Sequence, residues 1–398
     1  MGRIRSIDTV RVPAILFVVI IHTNPFNGLG TLGNGVDFAL DSLARFAVPF
    51  FFMTAGYLYA RKRGHTIASL TADSYTSGYI RRLLSLYLFG VALLLPLKLL
   101  FTVGQAKLHD TGLQSALLAE LALIFDPVYF LYYGSSLMAP LWFLPALAYS
   151  ILIIAIVDRL NWARYLLPVA AFLHLVGLFG GGIGVFVDVS FRATTVVFVG
   201  LFYTTLGVKF TDWETKLSPD RSHVYLAVFL ASMFARIFEV YLLGYVLGDT
   251  GLGTLADGVY TTGYTPFTIV VAASLFAYVL SRPTLGEGTR LPALGQHAVG
   301  IYIVHPAFVL ALRDILARGV AATWGVHLTE TIAWHLMFTP TVFIGSLVAY
   351  LGLERVGVVD AFHVVTDALF WRMHKQVEHH ATAYSTVVER HLDAVVNR

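Results

Sequence analysis

Long apolar runs with few charges recur along the whole chain, and this repetition constrains the fold more than any single motif. A helix needs about 20 such residues to cross a hydrocarbon core of about 30 Å. Ten runs of this kind lie at roughly 10–26, 43–60, 79–102, 140–158, 164–180, 192–210, 223–247, 264–281, 297–315 and 331–352. Only 13% of the 398 residues are charged, whereas soluble domains carry about 25%. The expected fold is therefore all-α: a polytopic membrane protein with about ten transmembrane helices. Residues 1–353 form the membrane domain, and residues 354–398 form a tail. No small-residue cleavage signal follows the first run, so it reads as a retained helix rather than a signal peptide.

Positive charge sets the expected topology. With the amino terminus in the cytoplasm and ten alternating spans, twenty of the 27 basic residues fall on the cytoplasmic side and five on the outer side. The positive-inside rule favours that arrangement, with both termini cytoplasmic in the cell membrane. An eleventh span at Leu113–Phe125 would move most later basic residues outside. That segment is read as a short interfacial or re-entrant helix. The tail is amphipathic around Val364–Met373 and is expected to lie on the membrane surface.

Cysteine is absent, which excludes disulfides, thiolate nucleophiles and cysteine-bound zinc. Chemistry must come from the few ionisable residues within spans, which usually face a bundle interior or a wet cavity. Arg11 and His22 are eleven residues apart on the first span. That spacing is about three helical turns, so both side chains share a face and sit about 16 Å apart along the axis. The plainer alternative is a positive-inside anchor at Arg11 and an interface histidine at His22.

Further residues carry two readings each. His305 precedes Pro306 within a span. It either orients substrate or bonds the backbone freed by the proline. Trp142 and Tyr302 either line an acceptor pocket or serve as packing and interface anchors. Arg236 and Glu239, three apart in the seventh span, are expected to pair. His335 is expected at the outer interface. Gly180–Gly184 lacks the Lys-Ser/Thr of a phosphate loop and reads as a turn. His374, Glu378, His379 and His380 can share a helix face, but histidines of a solvated tail are the commoner case, and no metal is expected.

Several blocks resemble the acyltransferase-3 family of membrane O-acyltransferases. Asp8, Arg11 and His22 match the family's opening Asp-x-x-Arg, ten residues and His. Val48-Pro49-Phe50-Phe51-Phe52 through Gly56-Tyr57 is similar to a second block, with Ala55 in place of the usual serine. Ile80 to Leu88 resembles the basic start of the third span. The family commonly has two arginines three apart and a later proline there. In this chain Arg81 and Arg82 are adjacent, and Ser85 stands at the proline's place. Leu141-Trp142-Phe143-Leu144 and Ile301-Tyr302-Ile303-Val304-His305-Pro306 match two more blocks.

The resemblance implies acyl transfer, most often of acetyl, from acyl-CoA to a hydroxyl of a glycan or lipid-linked sugar. His22 is then the expected general base, by direct transfer or through a transient acyl-histidine, with Arg11 as the second expected catalytic residue. Arg81 and Arg82 are expected to bind CoA phosphates, which guanidinium groups hold through paired hydrogen bonds. Asp8, Trp142, Tyr302 and His305 are expected at the substrate. No cofactor is expected to be tightly bound, since acyl-CoA, acetyl-CoA above all, acts as co-substrate. The expected partners are this donor, the sugar acceptor and membrane lipid, with no nucleic acid. The rival reading is a transporter exporting a glycan or lipid, because intramembrane Arg and His also line substrate paths.

Overall fold

Backbone groups in hydrocarbon have no water to bond, so an apolar run must satisfy them within itself or in a closed barrel. Here the runs do so as helices. The protein is described from a computed structural model covering residues 4–63, 74–181, 183–184, 196–248 and 250–372, and no strand occurs among the described residues. In chain order the helices are α1 (Arg5–Thr23), α2 (Gly30–Ala44), α3 (Ala47–Arg63), α4 (Ser74–Leu108), α5 (Leu113–Ile124), α6 (Phe143–Arg159) and α7 (Ala163–Phe179). They continue with α8 (Leu201–Trp213), α9 (Ser222–Tyr241), α10 (Pro266–Ser281), the single turn α11 (Leu291–Leu294), α12 (Ala298–Val309), α13 (Arg318–Trp324) and α14 (Ile332–Arg355). Among the described residues, seven helical stretches are long and apolar enough to cross a membrane, and three further apolar helices are shorter. The architecture is all-α and multi-pass.

Each run expected to span overlaps a helix. The sixth is α8 with a wider turn at Val196–Gly200 before it, while residues 192–195 lie outside the described residues. The segment read as interfacial or re-entrant is α5, whose twelve residues reach only about 18 Å. That length is too short to cross.

One helix was not expected. The sequence reading leaves residues 27–42 as a connection, but α2 occupies most of it. Its polar residues Asn34, Asp37 and Asp41 recur at helical spacing and point inward, while Leu32 is 82% exposed. This amphipathicity is inverted, and a search for apolar faces passes over it. The inward stripe bonds the loop that follows α1: the backbone N–H of Phe26 donates to Asp37 and that of Gly28 to Asn34. Asn34 in turn donates to the Leu255 carbonyl.

α1 is the axis of the bundle, touching α2, α3, α10, α12 and α14. Apolar helices in lipid gain little from burying more apolar surface, so close backbone approach matters. α3 and α8 cross at two glycines. A Cβ on Gly56 would fall 2.0 Å from the Thr204 carbonyl oxygen, and one on Gly207 would fall 2.1 Å from that of Met53. Arg63, from the basic end of α3, pairs with Asp158 of α6 at 2.8 Å.

One sequence expectation changes here and two gain detail. Arg236 and Glu239 make no direct ion pair. Arg236 is 1% exposed and donates to Thr268 Oγ1, the Thr262 carbonyl and the Ser42 carbonyl. Glu239 instead accepts from the backbone N–H of Phe267. The guanidinium thus fastens α9 to α10 and to the end of α2, satisfying carbonyls that a direct pair would leave unbonded. His335 is buried, and its Nδ1 meets the Pro25 carbonyl at 2.6 Å, tying α14 to the loop after α1.

The third concerns the tail, which is helical over 358–372. Phe362 packs on Phe89, and Ser85 Oγ lies 2.6 Å from both His363 Nδ1 and Thr366 Oγ1. The serine that replaces proline in α4 is therefore the anchor of this helix. Val364, Val365, Leu369 and Trp371 of this helix are exposed. The candidate metal residues from His374 onward lie outside the described residues. No group able to hold a metal occurs among the described ones.

Candidate active site

The two ends of α1 are positioned by different partners. At its start, Ser6 Oγ donates to the Val279 carbonyl and Thr9 Oγ1 to that of Leu285. Gly295 packs directly on this turn, where a Cβ would fall 1.8 Å from the Asp8 carbonyl oxygen. The clamped turn carries Asp8, which is 5% exposed and bonds the Arg11 guanidinium at 2.7 Å.

At its other end α1 carries His22. The His22 ring lies against that of His305 on α12, with centroids 5.4 Å apart and planes 29° from parallel. His305 is fully buried, and its Nδ1 faces the Ile301 carbonyl at 3.3 Å. Its Nε2 has no hydrogen-bond partner among the described residues. The Ile301 carbonyl is therefore not the whole account of His305, because its other imidazole nitrogen has no partner among the described residues. Arg313 donates to the His22 carbonyl at 3.3 Å, and Thr23 Oγ1 meets Thr339 Oγ1 of α14 at 2.7 Å.

A cavity of about 150 Å³ joins these ends. Arg11, His22, Trp142 and Tyr302 all line it, together with Thr54 and Tyr79. Arg11 and His22 thus share one face, as their spacing predicts. Trp142 lies on the tight turn Ala139–Trp142 ahead of α6, with its ring 5.8 Å from that of Phe52. The Tyr302 hydroxyl donates to the Pro140 carbonyl of the same turn, and its ring stands 6.0 Å from His305. Tyr302 therefore fixes the wall that presents Trp142.

The remaining expected residues are placed differently. Asp8 lies behind Arg11 and reaches the cavity only through it. Arg81 is half-buried and Arg82 exposed, and neither lines the cavity. The Arg82 charge acts on Tyr79 at the cavity wall and on His363 of the tail helix.

Sequence reasoning did not single out Tyr79, Arg45 or Arg313 for this site. Arg45 follows α2 and is held two-pronged by Asp41 at 2.6 and 2.9 Å. The charges of Arg45 and Arg313 both act on His22. Only the signal that an arginine within or beside a span needs a reason could have flagged them.

Chemically, the arrangement offers a narrow chamber with a guanidinium at one end and the His22 imidazole at the other, and His305, expected at the substrate, lies behind His22 and does not line the chamber. The sequence profile of an acyltransferase domain family matches residues 4–352. An amino-acid racemase of Enterococcus faecalis is 25% identical over 317 residues, covering 79% of this chain and 42% of that protein. A serine/alanine racemase of Enterococcus gallinarum is 28% identical over 336 residues, covering 80% of this chain and 42% of that protein. The chain spans less than half the length of these curated relatives. No solved structure matches it.

Proposed function

The chain belongs to the acyltransferase family whose domain it matches over residues 4–352, and from that premise we propose that it moves an acyl group across the membrane plane. In this reading the donor is cytoplasmic acyl-CoA, with acetyl the expected group, and the acceptor is a hydroxyl of a glycan or lipid-linked sugar. The supporting observation is the cavity that Arg11 and His22 share, about 16 Å apart along α1. The proposed orientation has ten spans, both termini in the cytoplasm, Arg11 near the inner surface and His22 toward the outer one.

The chemistry follows from that placement. A sugar hydroxyl attacks a thioester poorly until a base accepts its proton, and imidazole does so near neutral pH. His22 takes the proton as the hydroxyl oxygen bonds to the acyl carbon. The tetrahedral adduct collapses, the carbon–sulfur bond breaks, and the proton passes from His22 to the departing CoA sulfur. His305 stacks on His22 and holds the ring in place. Arg11, steadied by Asp8, stays where the donor's phosphates must remain, because charge enters hydrocarbon only at high cost. Trp142 and Tyr302 shape the wall against which the acceptor rests.

The relatives are named for racemisation of amino acids. Those names describe proteins more than twice as long as the stretch this chain matches, so we assign no racemisation to it. The transporter reading predicts movement of substrate without donor turnover. Purified protein in lipid, given labelled acetyl-CoA and extracted cell-surface glycans, should transfer label to the acceptor. Acceptor crossing the membrane with no label transferred would overturn the reading in favour of transport. The orientation has its own test. A cysteine placed at Leu217 in this cysteine-free chain should react with an impermeant reagent only after the membrane is opened, and labelling in intact cells would reverse the topology.

A further inference from the structure

The segment Leu310–Ala317, between α12 and α13, winds in wider turns than an α-helix. It carries Arg313, and Arg318 opens α13 directly after it. Residues five apart stand about 140° from each other around an α-helix. In a wide turn the backbone bonds run from i to i+5, so residues five apart sit one above the other. Both arginines here meet one carboxylate. Asp314 lies 3.4 Å from the Arg313 guanidinium and 3.2 Å from that of Arg318, and neither arginine has another ion-pair partner among the described residues. The Arg318 guanidinium also lies over the Phe101 ring of α4, 5.7 Å from its centroid, and the Lys98 ammonium approaches the same ring at 5.6 Å. Lys98 has a carboxylate of its own, Glu120 at 3.3 Å.

Arg313 is held loosely. Charge-assisted bonds measure about 2.7–2.9 Å, and Arg11, Arg45 and Arg63 reach their carboxylates at 2.7, 2.6 and 2.8 Å. Arg313 reaches Asp314 only at 3.5 and 3.4 Å, and the His22 carbonyl at 3.3 Å. Its side chain is 36% exposed, and that of Arg318 is 59% exposed. Two guanidinium groups thus share one carboxylate beside His22, and both are open to a ligand. Each carries five N–H donors in a planar fork that matches carboxylate and phosphate. A shared Asp314 leaves most of those donors, and one positive charge, to be answered from outside.

We propose that Arg313 and Arg318 form an anion site that selects an acceptor bearing a phosphate or carboxylate and sets its hydroxyl at His22. The proposal rests on the acyl-transfer reading above and names the acceptor's charge, which that reading leaves open. The plainer role of Arg313 is to cap the carbonyl end of α1 through His22, and that of Arg318 is to meet a lipid headgroup. A cap uses one donor of the fork and favours no acceptor over another. A lipid contact needs no acceptor at all. The roles therefore separate by the charge of the substrate and by the source of the anion.

The test uses the full chain in phosphatidylcholine nanodiscs, labelled acetyl-CoA, and extracted cell-surface glycans parted by anion exchange into retained and unretained fractions. Label should collect in the retained, anionic fraction. Arg313→Gln and Arg318→Gln should each lower the ratio of retained to unretained label by about tenfold, as the loss of one charge-assisted hydrogen bond does. Arg313→Lys, which keeps the charge, should retain most of that ratio. Label mainly in the unretained fraction would overturn the site, as would an equal fall in both fractions, which is what a cap alone gives. A second readout needs no acyl transfer. Inorganic phosphate near half-saturation should slow modification of Arg313 and Arg318 by phenylglyoxal about twofold, followed by peptide mass, while the exposed Arg159 reacts as before. No protection by phosphate would overturn the site. Protection only when the discs contain phosphatidylglycerol would give both arginines to lipid and overturn it as well. Protection by phosphate with no label transferred to either fraction would overturn the acyl-transfer reading and leave the anion site standing.

Discussion

The two ends of α1 solve opposite problems. At the Arg11 end the charge is answered at once: Asp8 bonds it at 2.7 Å, and the turn is clamped by Ser6, Thr9 and Gly295. At the His22 end no carboxylate among the described residues bonds the imidazole. Its neighbour is a second imidazole with an unspent nitrogen, and the nearby charges are arginines. A paired cation in a rigid turn suits holding a ligand's charge. Two imidazoles in contact suit the exchange of a proton. In the proposed reading, one helix separates binding from chemistry by length alone, about 16 Å of rise in this case.

The largest test of that division is His22→Ala. Loss of a general base costs about 10²–10⁴-fold, so acetyl transfer should fall by that order and stay low when donor is raised. Near-normal turnover would remove His22 from the chemistry and leave His305 as the base to examine.

A second test loosens the other end. Gly295→Ala drives a Cβ onto backbone at Asp8, where no side-chain rotation gives relief. Overpacking of this kind costs about 1–3 kcal/mol. Thermal unfolding in detergent should report that loss, together with weaker donor binding. An unchanged midpoint would mean that the clamp is looser than its geometry indicates.

Arg82 should matter less than Arg11, because it stands exposed and off the cavity. Exposed charge pairs are worth about 0.2–1 kcal/mol. Arg82→Ala should therefore raise the donor KM by no more than about fivefold, with kcat recovered at high donor. A loss that added donor does not restore would place Arg82 in the chemistry.

The smallest expected effect lies just below the Arg11 end, where the tail helix docks. Burial, and then the Arg82 charge, hold the His363 imidazole below its ordinary range. The docked helix favours the neutral ring, so docking should be complete above the ordinary histidine value of about 6.5 and weaken as pH falls below it. Asp360 and Asp367 oppose the shift, which keeps the effect modest. Protection from hydrogen exchange over 358–372, measured against the intrinsic rate at each pH, should fall as pH drops from 7.5 to 5.5, and His363→Gln should flatten that dependence. A variant as pH-sensitive as wild type would assign the response to another group.

Much of this site is legible along the chain. Arg11 and His22 share a face because helical period puts them there, and Trp142 and Tyr302 lie in blocks that resemble the family. What those residues meet is another matter. His22 finds His305 across 283 positions, Ser85 finds His363, and Tyr79 finds Tyr59, all between helices with no local signal for the pairing.

The reason is physical. Insertion in lipid demands apolar, internally bonded segments, and that demand is written in every run of the sequence. A helix apolar on every side carries no stripe to say which face meets a neighbour. The sequence alone therefore determined an all-α, multi-pass chain and the residues that ride on α1. Only the tertiary structure decided that α2 turns its polar stripe inward, that Arg236 fastens α9 to backbone carbonyls, and that two histidines meet at the end of one narrow cavity, because close helix crossings such as Gly56 on Thr204 and Gly207 on Met53 set those neighbours.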